Sequence, residues 1–139
     1  MRKKKKKYAN VIMLLLILFV LFFIVLKDRS LNVTSEQIVK SYISDKKAAD
    51  AKFLNKEIEL SGKVKSFFQF EVEKSLLELE TGNRELQLFC LLMNKETEEI
   101  AESLTAGTTV KVFGKCLGLN PSLADKFPNG IYIQVEKMK

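Results

Sequence analysis

The sequence predicts a small five-stranded β-barrel with one or two flanking helices, preceded by a single N-terminal transmembrane helix. Three observations carry that prediction. Residues 11–26 form an unbroken apolar run. Apolar residues recur at helical spacing between Thr34 and Ala51. From Glu57 onward the period changes to two, in five segments interrupted by one helical stretch. A chain of 139 residues holds one ordinary domain and a short extra segment. Its 47% apolar and 29% charged residues fit a folded protein.

As a helix, residues 8–26 would span about 28 Å, close to the ~30 Å hydrocarbon core of a bilayer. At roughly −0.3 to −0.6 kcal/mol per apolar residue, insertion is favourable by at least ~5 kcal/mol. A cleaved signal peptide would place small residues after the run. Here Phe22 is followed by Phe23, Ile24, Val25, Leu26, Lys27, Asp28 and Arg29, and the next small residue is Ser30. No cysteine follows closely to accept a lipid. The segment therefore reads as a retained signal anchor in a bacterial cytoplasmic membrane. Residues 1–7 form a basic cytoplasmic tail and residues 27–33 a linker to a domain at 34–139.

Charge sets the orientation. The net +6 comes from the tail: Arg2, Lys3, Lys4, Lys5, Lys6 and Lys7 supply six of 23 basic residues, leaving 17 against 17 acidic ones. The positive-inside rule puts this tail in the cytoplasm, where anionic headgroups attract it at ~1 kcal/mol per cation, and puts the domain outside. From Ser30 onward 15 basic residues face 16 acidic ones. A net of −1 argues against a nucleic-acid-binding domain.

The domain is expected to open on a helix. Thr34 is its N-cap, and Gln37 three residues on completes a capping box. Ile38, Val39, Tyr42 and Ile43 give one apolar stripe. Ser44 and Asp45 end this helix and cap a second short turn at 46–51. Ile58, Leu60, Gly62 and Val64 form the inward face of the first strand, with Gly62 expected as a bulge or bend. Residues 67–72 read as its end and an extended connection. Leu77 and Leu79 mark the second strand, and Thr81-Gly82-Asn83-Arg84 a turn. Leu86, Leu88, Cys90 and Leu92 share a face of the third. Asn94 caps a helix bearing Ile100, Ala101 and Leu104, stopped by Gly107. Val110, Val112, Gly114 and Cys116 line the fourth strand. A polar loop at 119–129 leads to a fifth strand with Ile131, Ile133 and Val135 inward. Three antiparallel strands, a helix and a closing hairpin describe the OB barrel; a meander packed on two helices is the alternative.

Several stretches carry a family resemblance: Ala48-Ala49-Asp50-Ala51-Lys52-Phe53, then Leu60-Ser61-Gly62-Lys63-Val64. Leu104-Thr105-Ala106-Gly107 and Val110-Lys111-Val112-Phe113-Gly114-Lys115-Cys116 carry the rest. From about Ser35 to the C-terminus the chain resembles the bacterial tRNA_anti-like family of OB-fold domains. The resemblance implies kinship with nucleic-acid-binding OB domains. It implies no catalytic set.

The residues offer little chemistry. Histidine is absent, which removes His-based triads, bases and metal ligands. Two cysteines cannot close a four-ligand zinc site. Gly114-Lys115 lacks the upstream glycine and the following Ser or Thr of a phosphate loop. No spacing of carboxylates singles out an acid/base pair, so no catalytic, cofactor or metal residues are assigned. Asn32-Val33-Thr34 is a glycosylation sequon without meaning in a bacterial envelope. Cys90 and Cys116 are the candidate disulfide or redox pair. In an OB barrel the fifth strand lies between theirs, two spacings or about 9.5 Å, beyond the roughly 7 Å limit for a bridge. Buried thiols are expected. Lys65, Phe68, Phe70, Arg84, Phe89, Lys115 and Tyr132 form a candidate stacking face, as single-strand binders use. Five glutamates on the same strands oppose phosphate there.

The leading functional reading is a non-catalytic membrane-anchored binding module whose partner is an envelope protein, glycan or small ligand. The alternatives are a nucleic-acid-binding OB protein and a thiol–disulfide protein.

Overall fold

A computed structural model of the protein describes residues 2–27, 30–71, 74–121 and 128–139. Helix α1 (Arg2–Lys27) contains the apolar segment Tyr8–Val25, long and apolar enough to cross a membrane and exposed along its whole length. Strand β1 (Leu31–Thr34) follows. Residues 31–33, expected as linker, instead pair in parallel with β2 (Glu57–Glu71), Leu31 opposite Ile58 and Thr34 opposite Ser61.

Thr34 caps helix α2 (Ser35–Ser44) through the expected box. Its Oγ1 accepts from the Gln37 N–H at 3.2 Å, and Gln37 Oε1 accepts from the Thr34 N–H at 3.0 Å. Asp45 then caps helix α3 (Lys46–Phe53), accepting from the Ala48 N–H. Ile38, Val39, Tyr42, Ala49 and Phe53 point from these helices into the core.

Strands β2, β3 (Lys74–Leu79), β4 (Leu88–Leu92), β5 (Thr109–Leu119) and β6 (Ile131–Met138) close into a barrel. The order is β2-β3-β4-β6-β5, and β5 returns to pair with β2. This is the OB arrangement. Inward alternation is as expected for Ile58, Leu60 and Val64, for Val110, Val112 and Cys116, and for Ile131, Ile133 and Val135. Helix α4 (Lys95–Glu102), capped by Asn94, sits between β4 and β5.

Four local expectations change. Residues 67–71 are the end of the first strand, as expected, but no part of them is a connection, because β2 continues to Glu71 and pairs with β3 from Val64. Gly62 is not a bulge: its pairing with Val110 is regular, and the extra residues opposite β3 are Lys65 and Phe70. Gly62 serves a close approach instead, since a Cβ there would lie 2.7 Å from Ser35 Oγ. Leu86 precedes its strand and packs on the core from the loop. Helix α4 ends at Glu102; Leu104 and Gly107 belong to the turn beyond it, where the Gly107 N–H donates to the Val64 carbonyl at 2.7 Å. Val72 and residues 122–127 of the expected loop lie outside the described residues.

Gly114 holds the tightest backbone approach between β5 and β6. A Cβ there would be driven into the Gln134 carbonyl and within 3.0 Å of Val135 Cα. Gly107 has φ +87° but open space around it. Gly114→Ala should destabilise the 30–139 fragment by about 3 kcal/mol, through forced separation of two core strands. Gly107→Ala should cost about 1 kcal/mol, the strain of the left-handed conformation alone. Urea midpoints of the two variants check the order; equal losses would contradict this account.

Candidate binding face

Seven side chains were expected to share one face, and the registers show that they do not. Alternation puts Phe68, Leu76, Leu91, Gln134 and Lys115 in one row around the barrel exterior: Phe68 pairs with Leu76, Leu76 with Leu91, Leu91 with Gln134, and Gln134 with Lys115. Lys115 is thus four strands from Phe68 along that row, beside Glu57 on β2. Arg84 lies in the β3–β4 connection, at the end of that hairpin opposite Phe68 and Phe70. Lys65 is near the ring pair but engaged. Its Nζ donates to Glu78 Oε1 at 2.7 Å, and Ser66 Oγ donates to Oε2 at 2.8 Å. The Glu78 carboxylate is largely buried on the outer face, so Lys65 neutralises it rather than a ligand.

Phe89 and Tyr132, also expected on an open face, are buried. They are 1% and 2% exposed, with ring centroids 5.4 Å apart. With Leu76, Leu91 and the half-buried Leu117 they form a second apolar cluster on the barrel exterior. The Tyr132 hydroxyl donates to the Pro128 carbonyl at 2.5 Å, and burial pushes its pKa up to about 12. Neither ring can take a stacked base.

What remains accessible is the margin of this cluster. Phe68 is 41% and Phe70 46% exposed, their rings 6.4 Å apart, and Met93 just beyond β4 is 51% exposed. Phe70 is the extra residue opposite β3, and its ring stands beside that of Phe68. Residue selection from the sequence missed Leu76, Leu91, Leu117 and Met93. A signal existed in Leu88-Phe89-Cys90-Leu91-Leu92, a strand apolar without alternation, which marks cover on both faces.

The cysteines are separate and both unbridged. Cys90 and Cys116 each pair with Ile133, from opposite sides of β6. Cys90 is fully buried, and desolvation pushes its thiol up to about 12. Cys116 is raised chiefly by desolvation too. Its polar neighbour is Tyr42, whose hydroxyl is 3.9 Å from the sulfur and donates to Asp50 Oδ1 at 3.0 Å. Lys46 holds the other Asp50 oxygen at 2.8 Å, and that hydrogen bond above all keeps the carboxyl below its usual value. Burial raises the Tyr42 phenol, so it stays a donor at any physiological pH. This node fastens α2 and α3 to β5 and offers no nucleophile. Among the described residues, no three of Cys, Asp and Glu gather to hold a metal ion.

Two concavities lie elsewhere. A cleft of about 650 Å³ runs between β1 and helices α2 and α3, lined by Leu31, Val33, Lys40, Ser44, Lys52 and Phe53 among others. A smaller one of about 310 Å³ lies around Ser35, Gly62 and Glu80.

Neither a family model nor a curated protein sequence matches the chain. Solved structures share its fold. The "putative nucleic acid-binding lipoprotein" of Klebsiella pneumoniae subsp. pneumoniae superposes with a TM-score of 0.55 at 11% identity, covering 78% of this chain and 92% of that one. A "putative aspartyl-tRNA synthetase" of Leishmania major Friedlin superposes with a TM-score of 0.52 at 12% identity, covering 80% of this chain. This chain spans only 20% of that synthetase. At such identities the likeness establishes an OB fold.

Two buried, unactivated thiols should be slow to react. Thiolate is the reactive form, and the Cys90 thiol holds its proton to a pH near 12. Iodoacetamide at pH 8 should leave both sites of the folded 30–139 fragment unlabelled on the timescale that labels both after denaturation. Intact mass reads the uptake. Rapid native labelling, or a linked peptide pair under non-reducing conditions, would contradict this arrangement.

Proposed function

We propose that the protein is a non-catalytic OB-fold binding module, anchored by residues 8–26 in a bacterial cytoplasmic membrane with the barrel outside. Its partner is an envelope protein, a glycan or a small ligand, engaged at the outer margin of Phe68, Phe70 and Met93. The exposed ring pair of Phe68 and Phe70 beside a packed apolar cluster is the observation that carries this reading. A solvent-facing aromatic pair gains by being covered, and aromatic and Met side chains are enriched where proteins meet. The basic tail, Arg2 to Lys7, stays inside on anionic headgroups. The OB fold and the matching stretches named above support membership in the tRNA_anti-like family.

A photoreactive residue replacing Phe70 in the full chain, activated in intact cells, should yield one dominant adduct. Adding Phe68→Ala should cut its amount several-fold without lowering the level of the protein, since exposed apolar anchors carry most interface energy. Adducts of unchanged yield, or with nucleic acid, would overturn the reading.

The same ring pair favours one competing reading, a single-strand binder, in keeping with the description of the Klebsiella protein. Electrostatics opposes it. Two of the four expected stacking rings are buried, Lys65 is tied to Glu78, and the chain from Ser30 carries a net −1. Since sequence-independent affinity is largely counterion release, the 30–139 fragment should bind short single strands no better than ~10⁻⁴ M at physiological salt. Fluorescence anisotropy checks this, and micromolar, salt-sensitive binding would restore the competing reading.

A further inference from the structure

We propose that the corner formed by α2 and α3 is a docking surface for anionic phospholipid headgroups of the bilayer that holds α1. The proposal rests on the anchor reading above. Three residues separate Lys27 from Leu31, so β1 begins within about 14 Å of the end of the apolar helix. Strand β1 then rises for four residues, about 13 Å, and α2 returns for ten, about 15 Å. The two lengths match, so the α2–α3 corner comes back to the level of Leu31. The cleft shows this directly, because Leu31 and Asn32 line it together with Lys40, Ser44, Asp45, Ala48 and Lys52.

Charge is distributed to suit that position. Residues 31–56 carry five lysines against three acids, whereas residues 57–139 carry ten basic against thirteen acidic residues. Lys40, Lys46, Lys47 and Lys52 are exposed. The acids near them are engaged: Asp45 caps α3, and Asp50 accepts from Tyr42 and Lys46. Glu36 sits at the far end of α2, beside Gly82. The part of the domain nearest the span is therefore its basic part, and the acidic barrel lies beyond it. A negatively charged surface attracts such a face by about fivefold in occupancy per lysine held within a Debye length.

Lysine acylation of the full chain in lipid nanodiscs tests the proposal. One set of discs holds one part phosphatidylglycerol to two parts phosphatidylcholine, the other phosphatidylcholine alone. Lys40, Lys47 and Lys52 should label at least about threefold more slowly in the anionic discs, and 0.5 M salt should erase the difference. Lys95, on α4, should label equally in both. Lys47→Gln with Lys52→Gln, both exposed and outside the core, should weaken the protection of Lys40. Equal rates in a chain retained by both discs would overturn the docking surface and leave the anchor intact. A chain that alkaline carbonate strips from both discs would overturn the anchor, and the docking surface with it.

Discussion

The fold depends on one strand being shared along both of its edges. Strand β2 has fifteen residues, and its first half pairs with β5 while its second half pairs with β3. No other strand could close the barrel, because β5 must reach β2 from the far side of the sheet. The transition falls at Val64 and the extra residue Lys65. There the Val64 N–H is taken by Thr108 and its carbonyl by Gly107, so the turn after α4 is pinned where the strand changes partners. The edge of β2 that β3 leaves open is filled by β1, and Ser35 Oγ bonds the Glu80 carbonyl at 2.6 Å between the two. Few backbone groups along this seam are left for water to satisfy, which is what a closed sheet requires.

The helices are held by a different device. Their apolar residues seal one end of the barrel, but position along β5 is set by the Tyr42, Asp50 and Cys116 node and by Gly118. Gly118 has φ +82°, and a Cβ there would meet Leu54 Cδ1 at 2.8 Å. On the exterior, Glu78 with Lys65 and Ser66 occupies ground between the packed cluster and the rest of the sheet. Polar groups thus set register and orientation, while the two apolar clusters supply the driving force.

Much of the barrel was legible because alternation is a local property. Ile58, Leu60 and Val64, or Ile131, Ile133 and Val135, declare an inward face whatever lies across from them. The caps at Thr34, Asp45 and Asn94 were legible for the same reason, since each needs only residues three positions away. Strand β1 was not, because four residues are too few for a period and its partner is some 27 positions distant. The candidate face fared worst. Periodicity placed Phe89 and Tyr132 outward correctly, yet nothing local says what covers an outward ring, and the extra residue Lys65 that turns Phe68 outward leaves no mark in the sequence. Phe89 and Tyr132 cover each other, and Phe68 remains in the open. Distance around the barrel was equally invisible, which is why Lys115 and Arg84 joined a patch to which they do not belong.

The parallel ladder between β1 and β2 also has a mechanical meaning. A chain held at its apolar helix and pulled by its barrel transmits the load through Leu31, along the axis of β1. Because β1 and β2 run the same way, that force slides one strand past the other and stresses the ladder bonds of all four residues together. A connection ending in a hairpin edge would instead peel bond by bond from its end. The barrel is thus tethered to α1 by a lap joint rather than a zipper, and tension arriving from that helix ends on β2, the strand that holds the rest closed.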